Sequence, residues 1–444
     1  MVTLMLIVFV LGYIMIAFEH VTHINKATFA LLMCGLLWAI YALGVNDPAI
    51  THEVISERLI TALGDTCEIV IFLIGAMTIV ELIDKYGGFG LIINRIHAKN
   101  KRGMMWILTF VAFFMSSILD NMTTTIIMVM MLRRMISDVK ERWLFACIIV
   151  IAANSGGAWS PIGDITTIML WMKNYVSSVD LVVNLIIPCI VSVVIPTFIG
   201  TRMIKPAPME PICADNERIG YHINEHLPKL SRAILICGVG GLLFVPIFKA
   251  ATGLPPYMGI LISLSILWLI TELIVRRYKL DGKMEGRISQ ALKSIDMPTI
   301  LFFLGILMAV SALQQANILT HMAQWLDTTI HEPYIISGII GVLSSIVDNV
   351  PLVAACMNMY PVASPDAVGY AAYFVQDGLF WHLLTFCAGV GGSMLIIGSA
   401  AGVVAMGIEK ISFIWYLKRI SWMALAGYIA GIVVIWLETF IISI

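Results

Sequence analysis

Long apolar runs alternate with short polar connections from one end of the chain to the other. Runs near 2–18, 27–44, 67–83, 180–200, 233–249, 257–275, 297–314 and 420–441 approach the roughly 20 residues a helix needs to cross a bilayer, and predict transmembrane helices. The stretch before the third run, with Glu53, Glu57, Asp65 and Glu68 against Arg58, predicts a polar loop. Four further apolar segments, 104–132, 144–172, 335–360 and 382–408, differ in carrying polar residues or glycines at their centres. Such groups are costly in hydrocarbon and mark a functional site by default.

Segment 104–132 holds Ser116-Ser117-Ile118-Leu119-Asp120-Asn121-Met122-Thr123-Thr124-Thr125 and is flanked by Arg102 on one side and Arg133 and Arg134 on the other. Lys and Arg mark cytoplasmic loops, and one crossing cannot have two cytoplasmic ends. The segment therefore predicts a re-entrant hairpin with its tip at Asp120-Asn121, in place of a single long tilted helix. Non-helical backbone at that depth is tolerated where protein or a wet cavity covers it. In segment 144–172, the run Asn154-Ser155-Gly156-Gly157-Ala158-Trp159-Ser160-Pro161-Ile162-Gly163-Asp164 predicts a discontinuous helix, unwound by Gly156, Gly157, Pro161 and Gly163. Trp159 is expected to line the pathway.

The same order then recurs. Segment 335–360 holds Ser344-Ser345-Ile346-Val347-Asp348-Asn349-Val350-Pro351, and segment 382–408 holds Gly389-Val390-Gly391-Gly392 through Ser393 to Ser399. Gly75 pairs with Gly305, Asp120 with Asp348 and Gly156 with Gly391 at a nearly constant separation, as a duplicated unit requires. A polar piece at 315–333 answers the basic, amphipathic 84–103. With the loops near 19–26, 84–103, 133–142, 201–232, 276–296 and 409–419 in the cytoplasm, every Lys and Arg except Arg58, Lys173 and Lys249 falls on that side. This needs five crossings per copy, and an odd number turns the second copy over. The expected fold is an all-α polytopic membrane protein. Two inverted repeats, 1–200 and 233–444, each have five transmembrane helices, one re-entrant hairpin and a discontinuous helix, and a cytoplasmic linker, 201–232, joins them. Opposed repeats whose broken helices meet at mid-membrane are the architecture of secondary transporters.

Composition agrees. The chain is 60% hydrophobic and 12% charged, which excludes a soluble domain, and its net charge of −1 gives nucleic acid no footing. The cysteines show no CxxC spacing, so neither a metal cluster nor disulfides are expected. Residues 2–18 lack a basic n-region and a cleavage motif, and read as a retained first helix. No nucleotide-binding motif points to a primary pump.

The chemistry concentrates where two tips and two helix breaks converge. Candidate ion-binding and coupling groups are Asp120, Asn121, Asn154, Asp164, Thr166, Thr167, Asp348, Asn349, Ser344, Ser393 and Ser399, with Ser116 and Thr123 beside them. Asp120 and Asp164 are the expected ligands of a transported sodium ion. Oxygen-rich sets suit hard cations. A carboxylate that carries either a metal ion or a proton makes the two compete, and competition with alternating access is enough for exchange. Pro351, Gly391 and Gly392 are the expected hinge residues of the second copy. Asp164 aligns with Ser399, so the first copy holds more liganding capacity, and Asp348 is expected to cap the helix that starts near Pro351. No Arg or Lys is found within the apolar segments to favour an anion. Glu68 is a candidate for the outer mouth of the pathway.

The Asp-Asn tips and the Asn154-to-Asp164 run resemble those of NhaD-type sodium/proton antiporters of the ion transporter superfamily, which also holds arsenite exporters and dicarboxylate carriers. The resemblance covers nearly the whole chain. It implies exchange of sodium, with lithium as an alternative cation, for protons, and no resident cofactor. It also implies a homodimer in the bacterial inner membrane, each protomer with a scaffold part and a moving transport part, and places Asp120, Asn121, Asn154, Asp164, Thr166, Thr167, Asp348 and Asn349 in the ion-binding region. An arsenite exporter or small-carboxylate carrier is the nearest alternative, and an intramembrane enzyme is the alternative of another class.

Overall fold

Helices form wherever an apolar run lies between capping residues. Asn100, Asp138 and Asp296 each accept a hydrogen bond from a backbone N–H three residues on, satisfying a donor that the first helical turn leaves free. The computed structural model describes residues 1–17, 22, 24–44, 51–93, 98, 100–204, 228–277, 287–346 and 348–442.

In the first half, α1 (Val2–Ala17), α2 (Lys26–Gly44), α3 (His52–Lys85) and the short α4 (Gly88–Ile93) precede α5 (Lys101–Leu119) and α6 (Asn121–Met135), which meet at Asp120. Then come α7 (Val139–Ala158), α8 (Ile165–Met172) and α9 (Ser178–Met203). In the second half, α10 (Pro228–Thr252), α11 (Pro256–Arg277), α12 (Arg287–Ser294), α13 (Met297–Gln315) and α14 (Ile318–Thr329) precede α15 (Pro333–Ser344) and α16 (Asn349–Met359). A 3-10 turn at Gly369–Phe374, α17 (Leu379–Gly391), α18 (Ala400–Glu409), α19 (Phe413–Arg419) and α20 (Ser421–Ile442) complete the chain. No strand forms among the described residues; a single bridge joins Ala363 to Val375. Among the described residues, eight helices (α2, α3, α5, α9, α10, α11, α13 and α20) are each long and apolar enough to cross a membrane by length and composition. The protein is an α-helical polytopic membrane protein.

The expected third helix, 67–83, is too short. α3 runs for 34 residues from His52, and Glu53, Glu57, Arg58 and Asp65 lie in its first four turns rather than in a loop. Charged residues leave the membrane without ending the helix, since Glu and Arg are good helix formers. Most of the expected linker, residues 205–227, lies outside the described residues, as do Arg95 and Lys99 of the basic piece.

The helices sort into two groups. α1, α2, α3, α10, α11 and α13 pack on one another, α2 on α13 and α3 on α11. A second group is built on α7 and α17: α5, α6 and α9 pack on α7, and α15, α16 and α20 on α17. Both ends of the 104–132 stretch sit at the start of α7. Lys101 pairs with Glu141 at 2.6 Å, while Arg133 and Arg142 share the buried Glu409 at 2.8 and 2.6 Å. Both ends of the 335–360 stretch meet at the 3-10 turn, where His331 stacks on Tyr370 and Tyr360 on Phe374. Beside that turn, His382 Nε2 lies 2.7 Å from Asp180 Oδ2, tying α17 to α9.

Candidate functional site

The two tips and the two helix breaks meet in one buried hydrogen-bond network. Asp164, 3% exposed, caps the start of α8, and its Oδ2 accepts a hydrogen bond from Asn349 Nδ2 (3.0 Å) and a longer one from Asn121 Nδ2 (3.3 Å). One carboxylate oxygen thus receives an amide from each tip. Asn121 also reaches Asn154 Oδ1 at 3.1 Å, and Asn154 Nδ2 donates to Ser393 Oγ at 2.9 Å and Ser399 Oγ at 2.8 Å. Asn154, Asp164, Ser393 and Ser399 are therefore brought together with both tip asparagines.

The remaining expected residues hold backbone. Ser116 Oγ donates to the carbonyl of Ala153 (2.6 Å) and Ser344 Oγ to that of Ala388 (2.8 Å), so each tip is tied to its own broken helix by the same contact. Thr167 Oγ1 donates to the Asp164 carbonyl at 2.7 Å, closing the first turn of α8. Thr166 Oγ1 is buried without a hydrogen-bond partner among the described residues.

The helix breaks start later than the glycines predict. Gly156 and Gly157 lie inside α7, and the chain unwinds over 159–164, around Pro161 and Gly163. Likewise Gly391 is helical, Gly392 is the C-cap of α17, and the chain is unwound from there to Ser399. Pro351 sits in the first turn of α16, where its missing N–H costs nothing. Gly156 and Gly391 serve close approach instead. A methyl group on Gly156 would overlap the Phe113 carbonyl, and one on Gly391 the Gly341 carbonyl. Trp159 packs against α5, its ring stacked on Phe113 at 5.9 Å and edge-on to Phe114.

The tips differ in their acids. Asp120 caps α6: its carboxylate accepts from Thr123 N and from Thr123 Oγ1, both at 2.8 Å. Its backbone, φ 87° and ψ 158°, lies in a region that side chains other than glycine's rarely occupy. Asp348 has an ordinary φ of −49° and stands at the N-cap position of α16, as expected, but its side chain makes no capping hydrogen bond. Its Oδ2 pairs with Lys26 Nζ at 2.8 Å. Lys26 is the first residue of α2 and also lies 4.3 Å from the centre of the Phe302 ring on α13. A basic side chain thus reaches the site from the end of a span, although none lies within the apolar segments. Hydropathy places Lys26 in a loop, and nothing in the sequence announces a partner 322 residues away.

Asp120, Asp164, Asp348, Asn121, Asn349 and Lys26 line one cavity of about 60 Å³ between the two helix groups. A second, wider cavity of about 310 Å³ lies along the same seam, lined by Asp65, Lys173, Tyr175 and Asn358 among others. The helices α3, α8, α13 and α16 face both: Phe72, Ile168, Phe303 and Val350 look into the smaller, and Ile69, Met169, Leu307 and Ala354 into the larger. Glu68 pairs with Lys173 at 3.4 Å near this second cavity.

Residues 4–375 match the model of the citrate transporter family CitMHS. The chain is similar to sodium/proton antiporter 1 of Arabidopsis thaliana, 43% identical over 428 residues that cover 96% of this chain and 71% of that protein. Sodium/proton antiporter 2 of the same plant is 42% identical, over 96% of this chain and 97% of its own length. The Na(+)/H(+) antiporter NhaD of Vibrio cholerae is 30% identical, over 96% and 90%. A family match over most of the chain and likeness to antiporters along nearly its whole length agree with the duplicated Asp-Asn tips. The chain therefore belongs to the CitMHS family, among the NhaD-type antiporters of the ion transporter superfamily, and is a multi-pass membrane transporter, not an enzyme.

Proposed function

We propose that the protein exchanges sodium for protons across the bacterial inner membrane by alternating access. The observation that carries this reading is Asp164, a buried carboxylate that takes an amide from each tip at the edge of a small cavity. Sodium binds there through carboxylate oxygens of Asp164 and Asp120, with the unpartnered Thr166 hydroxyl within the same turn as Asp164. A proton on the same carboxylate removes a ligand and a charge, so each ion excludes the other. Lithium, with the same charge and oxygen preference, is an alternative cargo.

The recurring element order supports two inverted repeats. The meeting of both ends of 104–132 at α7, and of both ends of 335–360 at the 3-10 turn, supports re-entrant hairpins. The group with α2, α3, α11 and α13 is the scaffold and, in a homodimer, the part that holds the partner. The group with both tips moves. As it moves, the site changes its access from one cavity to the other.

The family's name raises a carboxylate carrier as the second reading, and Lys26 gives it one cationic group. The cavity argues against it. Three carboxylates face one ammonium that Asp348 already neutralises, and about 60 Å³ is far below the roughly 300–1,000 Å³ of pockets that hold organic ligands.

The test uses the purified full chain in liposomes with a pH dye inside. Sodium added outside drives protons out, so the internal pH rises. Asp164→Asn lowers this flux about 100-fold or more, because it removes the one group that both ions need. A native protein that moves citrate or arsenite and gives no sodium-linked pH change overturns the reading.

A further inference from the structure

Lys26 has no place in the exchange described so far, yet among the described residues it is the one ammonium group in the cavity. Three observations bear on what it does. Its Nζ is 2.8 Å from Asp348 Oδ2, within a set of side chains that also includes Asp120 and Asp164. It belongs to α2, which packs on α13 in the scaffold group, whereas Asp348 belongs to the second tip. Its ammonium nitrogen lies over the Phe302 ring, 4.3 Å from the centroid, so the ammonium is held from the scaffold side too. The equivalent acid of the first tip, Asp120, is satisfied by Thr123 of its own helix and pairs with no cation among the described residues.

We propose that Lys26 is a tethered internal cation that occupies Asp348 whenever sodium does not. Because the tether belongs to the scaffold, it marks one position of the moving tip. In this arrangement the ammonium screens Asp348 and repels an arriving sodium ion. Sodium must displace it to gain the second tip's carboxylate, and on release the ammonium returns. Lys26 acts through Asp348 and is a specificity-determining residue that keeps sodium binding weak enough for rapid release. The inference rests on the sodium/proton reading above.

The test compares native protein with Lys26→Arg, Lys26→Gln and Lys26→Met. Methionine keeps an unbranched stem over Phe302 without the charge. Sodium binding is measured by calorimetry on the full chain in detergent, and exchange in proteoliposomes as before. Lys26→Gln and Lys26→Met are expected to bind sodium about tenfold more tightly, which is about 1.4 kcal/mol. They should also show a lower KM for sodium and a lower kcat. Lys26→Arg is expected to retain native affinity and KM. A merely structural lysine predicts a lower kcat with KM unchanged or raised, in arginine as well as in the neutral variants. Unchanged or weaker sodium affinity in folded Lys26→Met overturns the proposal while the native exchange stands. If the native chain neither binds sodium nor exchanges it, both this proposal and the antiporter reading fall.

Discussion

At the first tip, Asp120 turns its carboxylate back on its own helix, and its backbone takes a conformation suited to glycine. At the second, Asp348 has a relaxed backbone and reaches across to Lys26, a residue of the opposite helix group. Both tips read Ser-Ser-Ile-x-Asp-Asn. The serine and the asparagine do the same work in each: Ser116 and Ser344 grip the broken helices, and Asn121 and Asn349 converge on Asp164. The two segments therefore share a frame and differ in how their acids are held. The first tip stores about 1–3 kcal/mol of backbone strain at its acid, and the second pairs its acid with Lys26 of the other helix group.

The comparison is most severely tested where the copies are alike. Gly156→Ala and Gly391→Ala each drive a methyl into a backbone carbonyl oxygen of the neighbouring helix, α5 and α15 respectively. Each is expected to lower stability by about 3 kcal/mol or more, as overpacking against rigid backbone does. Thermal unfolding in detergent checks this, and a large loss at one glycine only would break the symmetry of the frame. Next come the acids, where the copies differ. Asp348→Asn leaves the Lys26 ammonium without its carboxylate beside the site and is expected to raise the sodium KM about tenfold. Asp120→Asn keeps a residue that caps helices and tolerates positive φ, so it changes the melting temperature little. Its sodium KM is expected to rise only a few-fold. Equal KM values for the two variants would dissolve the distinction. Smallest are Ser116→Ala and Ser344→Ala, each costing about 1 kcal/mol for one buried hydrogen bond. Equal shifts in unfolding sharpen the comparison.

Much of this plan is legible in the sequence. Apolar runs near 20 residues stand out because a bilayer demands them, and Asp120, Asp164 and Asp348 stand out because hydrocarbon penalises acids. The convergence of Asn121, Asn154 and Asn349 follows once the duplication is seen. The misses share a cause. Helix α3 extends past its apolar part because hydropathy reports the membrane and not the helix. Lys26 escapes because a residue at the end of a span reads as solvated, and the ring and carboxylate that hold it come from other parts of the chain. Gly156 and Gly391 read as breaks because the sequence cannot distinguish a glycine that unwinds a helix from one that lets another chain segment approach.

The stacked cavities carry an electrical consequence. On α8, α13 and α16 the residues facing one recess and the residues facing the other are as little as one to four positions apart. At about 1.5 Å per residue the wall between them is no thicker than roughly 6 Å. Where alternating access opens one recess to each face, the membrane voltage falls across this septum and not across the full bilayer. A displacement of one helical turn then moves a bound charge through nearly the whole potential, worth about 2.3 kcal/mol per charge for each 100 mV.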